Sequence, residues 1–216
     1  MFKPIPIKRS DQFYSNYWVG YSLKLMREVD FFGDLQYEYW LQVETDPDIS
    51  EFCERPIIID GVLEGKRKKT QFDMYLKKRD GKKTLVKILY SSKQDSPLRA
   101  LEKLYCEKNG FEYICISELD IRQNPIALSN RKQIITTLCN RKQPIDIDLR
   151  KLLHEVTSKR TSIKQIIENM NASISLPRTK EALFWLIYKG DISSNMYEKK
   201  ISLETEVWLN DQTKDN

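Results

Sequence analysis

A mixed α/β fold followed by a smaller helical domain is the class this chain predicts, and three features carry that expectation. The stretch at 70–90, TQFDMYLKKRDGKKTLVKILY, reads as two strands around an Asp-Gly turn, the strongest short hairpin signal. Helical stripes flank it at 35–45 and 97–109, and another apolar strand, FEYICIS, comes after the second. Beyond a polar break at 140–144 the pattern changes to three short helices and an alternating tail. At 216 residues, 40% hydrophobic and 31% charged, the chain has the length and composition of a globular protein with a real core. No apolar run approaches the roughly 20 residues of a membrane helix, and no signal peptide opens the chain. A cytoplasmic protein with no membrane partner is expected.

Taken in order, MFKPIPIKRS is basic and proline-broken, which suits a packed arm. Trp18 to Gly33 reads extended. A helix then starts at Gly33 and Asp34, with Leu35, Tyr39, Trp40 and Val43 on one stripe, and stops near Glu44 before Asp46 and Pro47. Residues 49–56 read as short and irregular, and Ile57, Ile58 and Ile59 as a compact strand. GVLEGKRKK leads from there to the hairpin, and its Lys66, Arg67, Lys68 and Lys69 read as a solvated loop or a place where a phosphate backbone passes.

Within the hairpin, Phe72, Met74 and Leu76 share one face and Asp73 and Tyr75 the other. Val86, Ile88 and Tyr90 share a face opposite Leu85, Lys87 and Leu89. Parity places Asp73 and Lys87 together near Gln36, where the plain reading is a cross-strand ion pair. Ser96 and Pro97 start the next helix, with Leu98, Leu101, Leu104 and Tyr105 as its stripe, and Gly110 ends it. Strands near 56–62, 70–77, 83–90 and 111–117 are thus expected in one mixed sheet, with helices 35–45 and 97–109 against it.

A helix from Asn124 and Pro125 to about Cys139 precedes the polar break, which divides the chain into domains 1–143 and 144–216. Helical patterns at 146–156, 162–170 and 177–189, with a small hairpin in 191–209, describe a winged helix. Arg178 and Lys180 are its exposed basic candidates for DNA or partner contact. Cys53, Cys106, Cys115 and Cys139 form no CxxC pair and His154 is the lone histidine, which argues against structural zinc and against histidine-assisted hydrolysis. A net charge of +5 permits a nucleic-acid partner.

Several phrases, read together, point to a family. They are Asp34-Leu35-Gln36, Glu44, Cys53-Glu54-Arg55-Pro56, Thr70-Gln71-Phe72-Asp73 and Leu85-Val86-Lys87, then the helix–strand pair LEKLYCEKNGFEYICISE. Over roughly 20–205 the chain resembles TnsA, the endonuclease subunit of heteromeric bacterial DNA transposases, which has the restriction-endonuclease-like PD-(D/E)XK fold. Thr70 to Asp73 stands where that family has its TPDF phrase, and Leu85 to Lys87 where it has (E/Q)VK.

The resemblance implies nicking of DNA at transposon ends with Mg²⁺ or Mn²⁺. Asp73 would be the metal ligand, Lys87 would support the attacking water, and Gln36 stands at the first acidic position. It also implies DNA, a DDE transposase subunit and an AAA+ regulator as partners. Two positions depart from the family, Gln36 for glutamate and Leu85 for Glu or Gln. Glutamine offers a carbonyl oxygen without charge, and leucine offers nothing. Glu38 lies about 200° around the helix from Gln36, whereas Glu102 is a candidate for a migrated ligand. Three readings follow: a subunit that still nicks, one that keeps the fold and assembly role without cleavage, and a DNA-binding adaptor of similar architecture only.

Overall fold

The structure, a computed structural model, describes residues 2–7, 15–63, 65–93, 96–139 and 143–210. Residues 8–10 of the expected arm, 94–95 of the polar linker and 140–142 of the expected domain boundary lie outside them. Contacts divide the chain into two compact units, Met1–Glu44 with Asp48–Gln123, and Thr45–Pro47 with Asn124–Asn216.

The first unit opens with an antiparallel hairpin, β1 (Tyr17–Ser22) and β2 (Arg27–Phe32). Helix α1 (Asp34–Thr45) follows and buries Leu35, Tyr39, Trp40, Leu41 and Val43. Its Trp40 ring stacks on Phe31, and a Cβ on Gly20 would lie 2.6 Å from that ring, so the hairpin can sit on the helix only with glycine there. Of the arm, Phe2 packs edge-on against Tyr75, with ring centroids 5.0 Å apart.

A four-stranded mixed sheet, flanked by helices, forms the middle of this unit. Its order is β3 (Ile49–Glu54), β6 (Met74–Lys78), β7 (Lys83–Ile88) and β8 (Glu112–Ile116), antiparallel except for the parallel β7–β8 pair. The Asp80-Gly81 turn closes β6 onto β7, with Gly81 at φ 88° and its N–H donating to Lys78 O at 3.0 Å. Helix α2 (Leu98–Asn109) connects β7 to the parallel β8 and packs on it. Gly110, at φ 70°, ends that helix as expected.

Three expectations are corrected here. The strand expected near 56–62 is not in the sheet: β4 (Ile58–Leu63) pairs with β5 (Lys66–Gln71) as a separate ribbon. The sheet's fourth member is β3, in the segment read as irregular, because a bulge between Ile49 and Glu51 breaks its alternation. The stripe expected on α2 is rotated as well, since that helix buries Glu102 and Cys106 and leaves Leu104 46% exposed.

The second unit holds α4 (Pro125–Cys139), α5 (Asp146–Glu155), β9 (Thr161–Ser162), α6 (Ile163–Met170), α7 (Leu176–Lys189), β10 (Ile192–Ser194) and β11 (Glu206–Leu209). Its antiparallel sheet has the order β10-β11-β9. The short α3 (Glu118–Ile121), capped by Ser117 and Asp120, belongs to the first unit. Leu152, Ile163, Ile166, Met170, Ala182, Leu183, Leu186 and Val207 form the core of the second unit, with α7 at its centre. Helix α4 packs on α7 and so belongs to this unit, which begins at Asn124 and not at 144. The polar break at 140–144 separates two helices of one unit.

Candidate functional site

Asp73 sits between β5 and β6, where the chain leaves one strand pair and enters the other. Its backbone N–H donates to Val86 O at 2.9 Å, and its carbonyl accepts from Arg55 N at 2.9 Å. This step breaks the parity expected of the first hairpin strand. Phe72 joins Tyr75 and Leu85 in one cluster, whereas Met74 pairs with Val86 on the other face.

The carboxylate of Asp73 meets both Gln36 and Lys87. Oδ1 accepts from Gln36 Nε2 at 2.8 Å, and Oδ2 accepts from the Ile88 N–H at 2.7 Å and lies 3.4 Å from Lys87 Nζ. Lys87 also donates to Gln71 O at 2.6 Å, and Gln36 Oε1 accepts from Phe32 N at 3.2 Å. That last bond orients the amide, so Gln36 turns its N–H toward Asp73 and its carbonyl away. The Lys87 and Asp73 side chains are 14% and 11% exposed.

These residues do not fit the divalent metal that the resemblance implies. A magnesium site needs several oxygen lone pairs converging on one point. Here a donor faces the one carboxylate, and Leu85 is fully buried among Cys53, Phe72, Tyr75 and Cys106. Among the described residues no group of three or more His, Cys, Asp or Glu side chains is arranged to hold a metal ion.

Neither alternative carboxylate joins the site. Glu38 pairs with Arg122 at 2.7 Å. Glu102, wholly buried, accepts from Thr70 Oγ1 at 2.6 Å and Tyr113 Oη at 2.7 Å, with Arg99 at 2.9 Å. Burial, reinforced by the Glu102 carboxylate, pushes the Tyr113 phenol up, so it remains a donor. Glu102 therefore ties β5, β8 and α2 together.

Two further acidic members of the family phrases are structural. Glu44 receives Ser22 Oγ at 2.7 Å and Leu23 N at 2.9 Å, fastening the β1–β2 turn to α1. Glu54 is gripped by both Arg27 terminal nitrogens at 2.6 and 2.7 Å. Asp34 is the first residue of α1, and donation from Asn16 and the Trp18 indole holds its carboxyl below the usual aspartate range. Burial pushes the Cys53 and Cys106 thiols up to about 11, which suits inert core cysteines.

The basic candidates divide. Lys66, Arg67, Lys68 and Lys69 form strand β5, not a loop, and all four are exposed. Arg67 pairs across the ribbon with Asp60. Arg178 makes two 2.8 Å bonds to Asp148 of α5, whose side chain is only 4% exposed, so it clamps α5 to α7. Lys180 is exposed, with its Nζ 5.5 Å from the Phe184 ring centre. Sequence reasoning missed Asn130, which is 1% exposed on α4. Its Nδ2 donates to Met196 O and Lys199 O at 2.7 and 2.9 Å, and its Oδ1 accepts from Ile201 N at 2.9 Å, fixing the β10–β11 loop. A lone asparagine inside a helical pattern carries no local signal of that duty.

No protein-family model matches this chain, and no curated protein matches it in sequence.

Proposed function

We propose that the chain is a TnsA-like subunit of a heteromeric DNA transposase that keeps the nuclease-type frame, has given up cleavage, and holds DNA and its DDE transposase partner in place. The observation that carries this reading is the amide of Gln36 donating to Asp73. A position that would supply negative charge to a metal supplies a proton to the remaining carboxylate, and Lys87 and the Ile88 N–H take up its other oxygen. Folding itself uses every group the reaction would need. In the second unit, the order α5, β9, α6, α7, β10, β11 with β11 central is that expected of a winged helix, which supports a second DNA-facing module. An AAA+ regulator as a further partner rests on the resemblance alone.

The test replaces Gln36 with Glu. Two carboxylates would then face each other within about 3 Å, a repulsion that a divalent cation relieves. Native protein is expected to melt at the same temperature in EDTA and in Mn²⁺, and to leave supercoiled plasmid intact with Mg²⁺ and its transposase partner. Gln36→Glu is expected to melt lower in EDTA and to recover with Mn²⁺. Native nicking that Asp73→Ala abolishes would overturn the proposal in favour of an active nuclease.

A further inference from the structure

The β4–β5 ribbon has two unlike faces, and its register identifies them. In an antiparallel pair, directly opposed residues point to the same side. Ile59 opposes Thr70, Gly61 opposes Lys68 and Leu63 opposes Lys66 on one face. Ile58 opposes Gln71, Asp60 opposes Lys69 and Val62 opposes Arg67 on the other. The first face is mounted on α2. Ile59 and Thr70 are buried, a Cβ on Gly61 would run into the Leu101 side chain, and Thr70 donates to the buried Glu102. Glu102 is in turn held by Arg99 and Tyr113, so the ribbon is braced against both helix and sheet.

The second face looks outward. Ile58 and Val62 are 49% and 74% exposed, interleaved with Asp60 and opposed by Arg67 and Lys69. The face thus sets two branched apolar side chains in water beside charged ones. Residues 58–71 carry Lys66, Arg67, Lys68 and Lys69 against Asp60 and Glu64. Asp60 already holds Arg67, which fixes the guanidinium before any partner arrives. An anionic partner fits this charge. Two strands about 5 Å apart and six residues long make a blade roughly 20 Å in length, and a major groove about 12 Å wide admits a two-stranded ribbon.

We propose that this ribbon enters the major groove of duplex DNA with Val62, Arg67 and Lys69 against base edges. Lys66 and Lys68, exposed on the opposite face, reach the phosphates of the groove wall. Valine and isoleucine methyls suit the thymine methyl, and Arg and Lys suit the guanine acceptors. The inference rests on the DNA-holding function proposed above and adds that the protein reads sequence, through this element.

The experiment selects bound duplexes from a randomised pool with the full chain, then repeats the binding across a salt series. Wild type is expected to enrich a short motif with roughly 5- to 150-fold preference at each read base pair. Val62→Ser with Lys69→Ala should erase the preference. Lys66→Ala with Lys68→Ala should weaken binding to all sequences alike and reduce the salt slope by about two, near one per lost phosphate contact. These side chains are exposed, so unchanged melting temperatures check that each variant is folded. Wild type that binds duplex, with ribbon variants that select and bind as it does, overturns the inference and leaves the DNA-holding function standing. Wild type that binds no duplex overturns both. Ribbon-dependent retention on polyglutamate and none on duplex would mark an acidic protein partner, and overturns the inference too.

Discussion

Two hairpins follow one another along the chain and treat charge in opposite ways. In β6–β7 both faces are covered: Met74, Tyr75, Leu76, Leu85 and Val86 are all buried. Its charged pair, Asp73 and Lys87, is enclosed, and each group is answered by the other, by Gln36 or by backbone. In β4–β5 one face is mounted and the other is wet, and its cations point into solvent. A buried charge must find its partners inside the fold, at a desolvation cost of several kcal/mol that is recovered only by complete pairing. An exposed charge bears no such obligation. The enclosed pair is therefore consumed by folding, and the open ribbon retains chemistry for a partner. The residues that most resemble an active site are the ones already paired within the fold.

The largest effect expected from breaking this contrast is Leu85→Glu, the change toward the carboxylate that the resemblance implies. Leu85 has no exposure and packs between Cys53, Phe72, Tyr75 and Cys106. Losing that apolar contact and burying an unpaired carboxylate should together cost more than about 4 kcal/mol. Urea unfolding measures it, and a loss below about 1 kcal/mol would mean that the cleft opens to water. Asp73→Ala comes next, at about 3 kcal/mol. It strands the Lys87 ammonium with Gln71 O alone and leaves the Gln36 amide without its acceptor. A near-neutral result would reduce the pair to a surface contact.

Much of the fold is legible in the sequence because its signals are local. The Asp80-Gly81 turn, the glycine after α2 and the proline at the start of α4 mark boundaries within a few residues, and α5, α6 and α7 follow their stripes. Other features depend on contacts distant in sequence. The bulge in β3 hides its alternation, and a run of four cations has poor strand character until IIDGVL pairs with it. The meeting of Gln36, Asp73 and Lys87 is expected from the sequence, but the strand alternation behind that expectation is broken between Phe72 and Met74. The direction of the Gln36 amide is not legible there, since the Phe32 N–H sets it. Glu102 and Glu44 are single letters on helices, and only the fold reveals what they hold.

A smaller effect separates the two basic candidates on α7. Arg178→Ala leaves the buried Asp148 carboxylate without its bidentate partner, and about half of the arginine side chain is already in water. A loss of about 1–2 kcal/mol is expected, between the surface and buried limits. Lys180→Ala should change stability by less than about 0.5 kcal/mol. Equal losses by thermal unfolding would remove the distinction between a clamp and a solvated charge.

The smallest effect belongs to the ribbon, and its sign is informative. Lys66 and Lys68 share a face, two residues apart along one strand, at a spacing of about 7 Å. Like charges at that distance repel weakly in water, and Lys69 adds a third cation across the strand. Replacing Lys66 and Lys68 with alanine, which leaves Lys69 opposite Asp60, should alter stability by less than about 0.5 kcal/mol, in the stabilising direction at low salt. The Debye length falls to about 10 Å near 0.1 M salt, so the gain should fade as salt is added. The Asp73→Ala loss should persist across the same series, because solvent ions do not reach an enclosed pair. Melting curves of both variants along one salt gradient measure the contrast directly. Parallel salt responses would show that the two hairpins hold their charge in the same environment, and the division between consumed and available chemistry would fall with them.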